Sequence, residues 1–213
     1  MAKKVFTSVP TNTNLLNEAQ MVIQNRWTYV GQHYQLQEQV IDDLFKHYAP
    51  QNTDENIVRT KAETLNIYYN TSVIAIAKMA KEIVNLKIDN RLKKKDLSLV
   101  PDIANAVNKN RQFTSFASKY CAAHKPDGYP IYDSLVRNYL AQVIGKGNLA
   151  NYTCCMTTAE NMMHDYLKYV DVYNAFIAQY NLSSLSYRDV DWYIWVANKN
   201  IQTLSQLNLF KLI

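Results

Sequence analysis

The sequence predicts an all-α fold, and three observations predict it. Apolar residues recur at spacings of three and four almost throughout the 213 residues, the pattern that lines one face of a 3.6-residue helix. No stretch alternates apolar and polar residues with a period of two, so no substantial sheet is expected. Two segments also open with a hydroxyl followed three residues later by a carboxylate, Thr157 with Glu160 and Ser186 with Asp189, the spacing of a helix capping box.

The elements follow in chain order. Leu15, Ala19, Val22 and Ile23 form one amphipathic stripe, and Leu36, Val40, Leu44 and Tyr48 a second. Apolar periodicity then runs from about residue 56 to 86, with a possible break at Tyr68-Tyr69-Asn70-Thr71, and both one helix and two remain open there. Ser98 is placed to cap a helix over about 99–108, whose first turn tolerates Pro101. Further helices are expected at about 115–124, 134–144, 158–180 and 187–203.

Four glycines, five prolines, no Ser/Gly tract and no fixed repeat predict no flexible linker and no solenoid. With 48% hydrophobic residues the chain can bury a real core, either as one domain over 1–213 or as two lobes sharing that core. The stretch MAKKVFTSVP lacks the apolar run of a signal peptide, and no segment is long and apolar enough to span a bilayer. The expectation is a cytoplasmic protein that does not engage membranes. Cys121, Cys154 and Cys155 suit neither a disulfide framework nor a four-ligand zinc site, and His33, His47, His124 and His164 form no cluster by spacing, so no metal and no cofactor are expected. No P-loop, Gly-rich dinucleotide turn or nucleophile elbow occurs.

The net charge is +5, and it is unevenly placed. No acidic residue lies between Ile103 and Pro126, where Lys109, Arg111, Lys119 and Lys125 fall, and Lys93-Lys94-Lys95 lies just upstream. Such a band suits a polyanion, although a solvated lysine-rich face has the same composition. Within it, Val100, Ile103, Ala104 and Val107 mark one helix, the polar stretch Asn108 to Thr114 a turn, and Ser115 the start of the next helix. Turn amides and the amino end of that second helix, beside Lys109 and Arg111, are the groups that grip a phosphate. Asn108, Lys109, Asn110, Arg111 and Ser115 are therefore the candidate DNA-binding residues.

Pro126, Gly128 and Pro130 end the second helix, and Asp133 opens the next, with Leu135, Val136, Tyr139, Leu140 and Val143 on its apolar stripe. Asp133 reads as an N-cap. Its carboxylate either does no more than accept a helix N–H, or points outward as a fixed negative charge able to stabilise a cationic sugar.

Ser115-Phe-Ala-Ser-Lys-Tyr-Cys121, Tyr129-Pro-Ile-Tyr-Asp133 and Tyr187-Arg-Asp-Val-Asp-Trp-Tyr-Ile-Trp195 resemble the helix-hairpin-helix DNA glycosylases, and within them the bacterial proteins of the 8-oxoguanine DNA glycosylase fold. The resemblance covers about residues 65 to 200, with residues 98–144 as the hairpin and catalytic segment and residues 1–60 outside it. It implies a two-lobed helical architecture, a catalytic role for Asp133, and a double-stranded DNA partner bound by a monomer. Members with lyase activity carry a lysine at the start of the second hairpin helix; here Ser115 stands near that point, and Lys119 follows one turn later on the same face. The Gly-rich hairpin of the superfamily is also missing. These departures favour base excision by water at Asp133, with strand cleavage through Lys119 as the alternative.

A glycosylase must swing a nucleotide out and hold its base against aromatic surfaces. Tyr120 and His124 share a face of the second hairpin helix, and Trp192, Trp195 and Lys199 a face of the last helix, so Tyr120, His124 and Trp192 are the candidate base-pocket residues. The departures from the repair pattern, with sixteen tyrosines, resemble glycosylases acting in phage defence on modified bases such as glucosylated hydroxymethylcytosine. The competing expectations are a bifunctional 8-oxoguanine repair enzyme, a non-catalytic DNA-binding module and a helical interaction protein.

Overall fold

A computed structural model describes residues 15–108 and 112–199, and every regular element among them is helical. In chain order they are α1 (Leu16–Gln24), α2 (Arg26–Val30), α3 (Gln32–Asp42) running into a π-helical segment (Asp43–Tyr48), α4 (Glu55–Tyr69), α5 (Ile76–Asn85), α6 (Asp89–Lys93), α7 (Leu99–Asn105), α8 (Thr114–His124), α9 (Ser134–Gly145), α10 (Met156–Met162), α11 (Tyr166–Gln179) and α12 (Tyr187–Lys199). The all-α expectation is met. No helix among the described residues is long and apolar enough to cross a membrane.

The described residues divide into two units, one within 33–132 and the other joining 15–32 with 133–199. In the unit of the ends, α1 and α9 both pack on α12, and α10 and α11 pack on α9. Its interior is aromatic: Tyr169, Tyr173, Phe176 and Tyr180 are all buried on or just beyond α11. Gly145 is where α9 meets the start of α10, since a Cβ there would stand 3.0 Å from the Met156 backbone nitrogen. In the unit 33–132, α4 pairs with α5, α7 with α8, and α4 and the π-helical segment both pack on α8.

Several boundaries follow from local chemistry. Asp54 caps α4 by accepting the Ile57 N–H at 3.0 Å. The region from 56 to 86 resolves into two helices because Asn70 takes a left-handed conformation (φ 47°) that ends α4. Asn66 secures the turn, its Oδ1 accepting from the Val73 N–H at 3.0 Å and the Thr71 hydroxyl at 2.7 Å. Ser186 and Asp189 form the expected reciprocal box: the Ser186 hydroxyl donates to Asp189 at 2.6 Å and its oxygen receives the Asp189 N–H at 3.1 Å.

Other expectations are corrected. Residues 158–180 are not one helix, because turns at His164 and Asp165 end α10 and the Asp165 carboxylate caps α11 through the Leu167 and Lys168 N–H groups. Thr157 caps nothing: Cys155 holds the cap position of α10, and Glu160 reaches Arg137 at 3.3 Å instead. Ser98 holds the cap position of α7, yet its hydroxyl donates to Asp96 at 2.6 Å rather than closing the helix. Of the stripe expected at Leu36, Val40, Leu44 and Tyr48, Leu44 is half-buried and the other three are exposed, and the residues buried instead are Ile41 and Phe45. Both sets have helical spacing, and packing against α8 selects the Phe45 side.

Candidate functional site

Asp133 stands at the amino end of α9. Its extended backbone (φ −124°, ψ 139°) turns the carboxylate back over the first turn, where Oδ1 accepts the Leu135 N–H at 2.8 Å. The side chain is neither sealed nor fully exposed. Behind it lies Tyr169, whose phenol is raised well above its ordinary value by burial and then by Tyr173 and the carboxylates of Asp191 and Asp133. Asp191, 6% exposed, is held by Arg188 at 2.6 Å. The same guanidinium lies 4.9 Å from the centre of the Trp192 ring. Trp192 is buried against Trp27 and Trp195, its ring centroid 5.2 and 5.5 Å from theirs. His164, beside Asp165, faces Arg137 at 3.3 Å.

In the other unit, α7 and α8 pack together, with the Phe113 N–H bonded to the Ala104 carbonyl at 3.0 Å. Lys109, Asn110 and Arg111 lie outside the described residues, and Asn108 is exposed at the edge of them. Ser115 and Lys119 meet one turn into α8: the Lys119 Nζ donates to the Ser115 Oγ at 2.8 Å and lies 5.5 Å from the centre of the Tyr69 ring. Lys119 is only 6% exposed. Ser118, on the position before, accepts the Tyr132 N–H at 2.9 Å.

A cluster of buried polar groups lies one turn further along α8. Tyr120 is fully buried and donates its hydroxyl to the Asn52 Oδ1 at 2.7 Å, so that hydroxyl is committed inside the core. His124 brings Nε2 to 3.1 Å from the same oxygen and 3.5 Å from the Lys61 amine. Lys61, also fully buried, donates to Asn52 Oδ1 at 2.8 Å and to the Gln51 carbonyl at 2.9 Å. Asn52 in turn donates to Asp89, through its side chain at 2.7 Å and its backbone at 3.1 Å. Phe45 closes the cluster, with its centroid 5.2 Å from the Tyr120 ring and 5.0 Å from the His124 ring.

Burial, opposed only in part by Asp89, pulls the Lys61 amine down to about 8. Burial, reinforced by the charges of Lys61 and Lys125, pulls the His124 imidazole down to about 3, so it is neutral near pH 7. Over this cluster opens a cavity of about 550 Å³ bordered by His124, Asp89, Phe45, Lys46, Lys93 and Lys125.

Asn52, Lys61 and Asp89 were not among the residues singled out by motif. One signal marks Lys61: it falls on the buried stripe Val58, Lys61, Ala62, Leu65 of α4, and a cation on an apolar stripe must find partners to be buried at all. Cys121 is buried, Cys154 half-buried and Cys155 exposed, all as free thiols. No group of three or more metal-ligating side chains exists among the described residues.

Comparison with known proteins gives two matches. The family model of the HI_0787 N-terminal domain matches residues 15–128, which spans both α1–α2 and the whole run from α3 to α8. A protein of Haemophilus influenzae (strain ATCC 51907 / DSM 11121 / KW20 / Rd) carrying the name "Uncharacterized protein" is 31% identical over 154 residues, covering 70% of this chain and 71% of that one. No solved structure matches the chain significantly.

Proposed function

The chain belongs to the HI_0787 N-terminal domain family, and on the resemblance carried by residues 115–133, which is independent of that family, we propose that it is a DNA glycosylase that swings out a modified base and removes it by hydrolysis. The observation that carries the reading is Asp133: a carboxylate at a helix amino end, tethered by the Leu135 N–H at 2.8 Å and not sealed from solvent. A charge so held is stabilised by the helix dipole and costs no reorganisation when a positive centre forms before it.

In the reaction proposed, the C1′–N bond breaks and its electron pair leaves with the base. Asp133 stabilises the resulting oxocarbenium-like sugar and takes the proton of the water that adds to C1′, while the departing base acquires a proton from solvent. The products are the free base and an abasic site. The α7–α8 pair serves as the helix-hairpin-helix grip: α8 begins without a side-chain cap, the condition under which first-turn N–H groups are available to a backbone phosphate. Arg188 and Trp192 supply a cation and an aromatic surface on the last helix. The substrate class proposed is phage DNA bearing bulky bases such as glucosylated hydroxymethylcytosine, met in the cytoplasm by a monomer.

A second reading, in which the amine of Lys119 attacks C1′ and cleaves the strand, is favoured by its reach to Ser115 at 2.8 Å, the position where lyase members place their lysine. Incubation with normal, oxidised and glucosylated DNA, with released bases identified by mass spectrometry, tests both. Hydrolysis predicts base release without borohydride trapping, and Asp133→Asn should lower the rate roughly 10²-fold or more with duplex affinity retained. Duplex binding without release of any base would leave a non-catalytic DNA-binding module. Release of 8-oxoguanine alone would discard the defence reading.

A further inference from the structure

The cavity in the unit 33–132 has no part in the chemistry proposed for Asp133. Two observations define what it can take. The first is its charge. The Asp89 carboxylate is turned inward to Asn52 and compensated by buried Lys61. His124 is neutral near pH 7. Lys46 is held by Asp42 at 2.7 Å. Lys93 and Lys125 make no ion pair among the described residues, although Asp127, held by Lys95, also feels the charge of Lys125, and both lysines border the one space. The second is shape. A volume of about 550 Å³ lies within the range of small-molecule sites, and Phe45, Pro50 and Leu92 give it an apolar wall. The floor is rigid, because Asn52, Lys61, Tyr120 and His124 hold one another through buried hydrogen bonds.

We infer that this cavity is a binding site for a small phosphate monoester with an apolar or aromatic body, its phosphate held between Lys93 and Lys125. A phosphate monoester carries close to two negative charges at neutral pH, which suits two bordering lysines that make no ion pair, and lysine serves as a point-charge partner for phosphate. The phosphate of a DNA backbone presents similar chemistry, so the experiment must separate a free ligand from a duplex.

Full-length protein is titrated calorimetrically with AMP, adenosine and inorganic phosphate, and the AMP titration is repeated in the presence of a short unmodified duplex. The expected result is saturable binding of AMP, at least ten-fold weaker binding of adenosine, and at least ten-fold loss for the Lys93→Ala/Lys125→Ala double variant, with no displacement by duplex. Lys93 is exposed and Lys125 half-buried, and an unchanged circular dichroism spectrum establishes that the variant folds. The Lys93→Gln/Lys125→Gln variant, which keeps most of each stem, gives the same loss. Failure of AMP to bind at millimolar concentration, equal binding of AMP and adenosine, or undiminished binding by both double variants overturns the inference. Displacement of AMP by duplex also overturns it, by making the cavity a seat for the DNA backbone. None of these outcomes depends on base release at Asp133, so the two proposals fail separately.

Discussion

Acidification should destabilise this protein through His124. The imidazole faces Lys61 at 3.5 Å, Asn52 at 3.1 Å and the rings of Phe45 and Tyr120, with Lys125 adjoining it in the chain. Protonating it would place a second cation against the Lys61 amine in a site that already penalises charge. Its ordinary value of 6.5 falls to about 3 in the fold. The unfolded chain therefore binds more protons than the native one between those limits, and stability falls as the pH drops through that window. Native stability from this group is complete above the unfolded value. At about pH 5 the unfolded imidazole is almost fully protonated and the native one almost fully neutral, which amounts to a loss of ~2 kcal/mol relative to about pH 7. Urea denaturation followed by far-ultraviolet circular dichroism, on wild type and His124→Gln, measures it. The variant is expected to lose some stability at every pH, but its decline between about pH 7 and about pH 5 should be shallower than that of wild type by ~2 kcal/mol. Parallel curves for the two proteins over that interval would refute the reasoning, since they would mean that His124 takes up its proton as readily in the fold as out of it.

The remaining expectations concern packing and caps. Lys61→Met should cost about 3 to 5 kcal/mol in urea, because it leaves Asp89 without its counter-charge and removes the amine that donates to the Gln51 carbonyl and the Asn52 side-chain oxygen. Since burial pulls the Lys61 amine from 10.5 to about 8, wild type should gain stability from this group as the pH rises across that window, where the unfolded chain holds the extra proton, and Lys61→Met should lack that gain. Gly145→Ala should lower stability by about 1 to 3 kcal/mol, as its new methyl meets the Met156 Cβ, N and Cα, atoms fixed with the backbone; a thermal midpoint equal to wild type would count against that close approach. Ser186→Ala should cost about 1 kcal/mol by opening the box with Asp189, seen as a lower urea midpoint with an unchanged slope.

Sequence alone determined the features that depend on a few neighbouring residues. The caps at Asp133 and Ser186 were legible because a carboxylate or hydroxyl reaches the N–H two or three residues on wherever the helix goes. The apolar stripe of α9 at Val136, Tyr139, Leu140 and Val143 was legible because the helical period places those residues together without help from the rest of the chain. Local patterns also misled where two solutions competed. Thr157 and Glu160 have the spacing of a box, but Glu160 has Arg137 to reach, and α10 starts at Met156. Leu36 and Ile41 lie on different faces of one helix, and the sequence ranks neither above the other.

Only the tertiary structure decided which faces are covered and which distant groups meet. Asn52 bonds Tyr120 and His124 across separations of 68 and 72 residues, and it compensates Lys61 and Asp89 at the same time. No periodicity encodes such a cluster, because helical spacing fixes the position of a side chain around its own axis and says nothing of the helix that packs against it. The cost of burying an unpaired cation then selects the one arrangement in which Lys61 finds all its acceptors, and that requirement acts on the whole folded unit rather than on any segment of it.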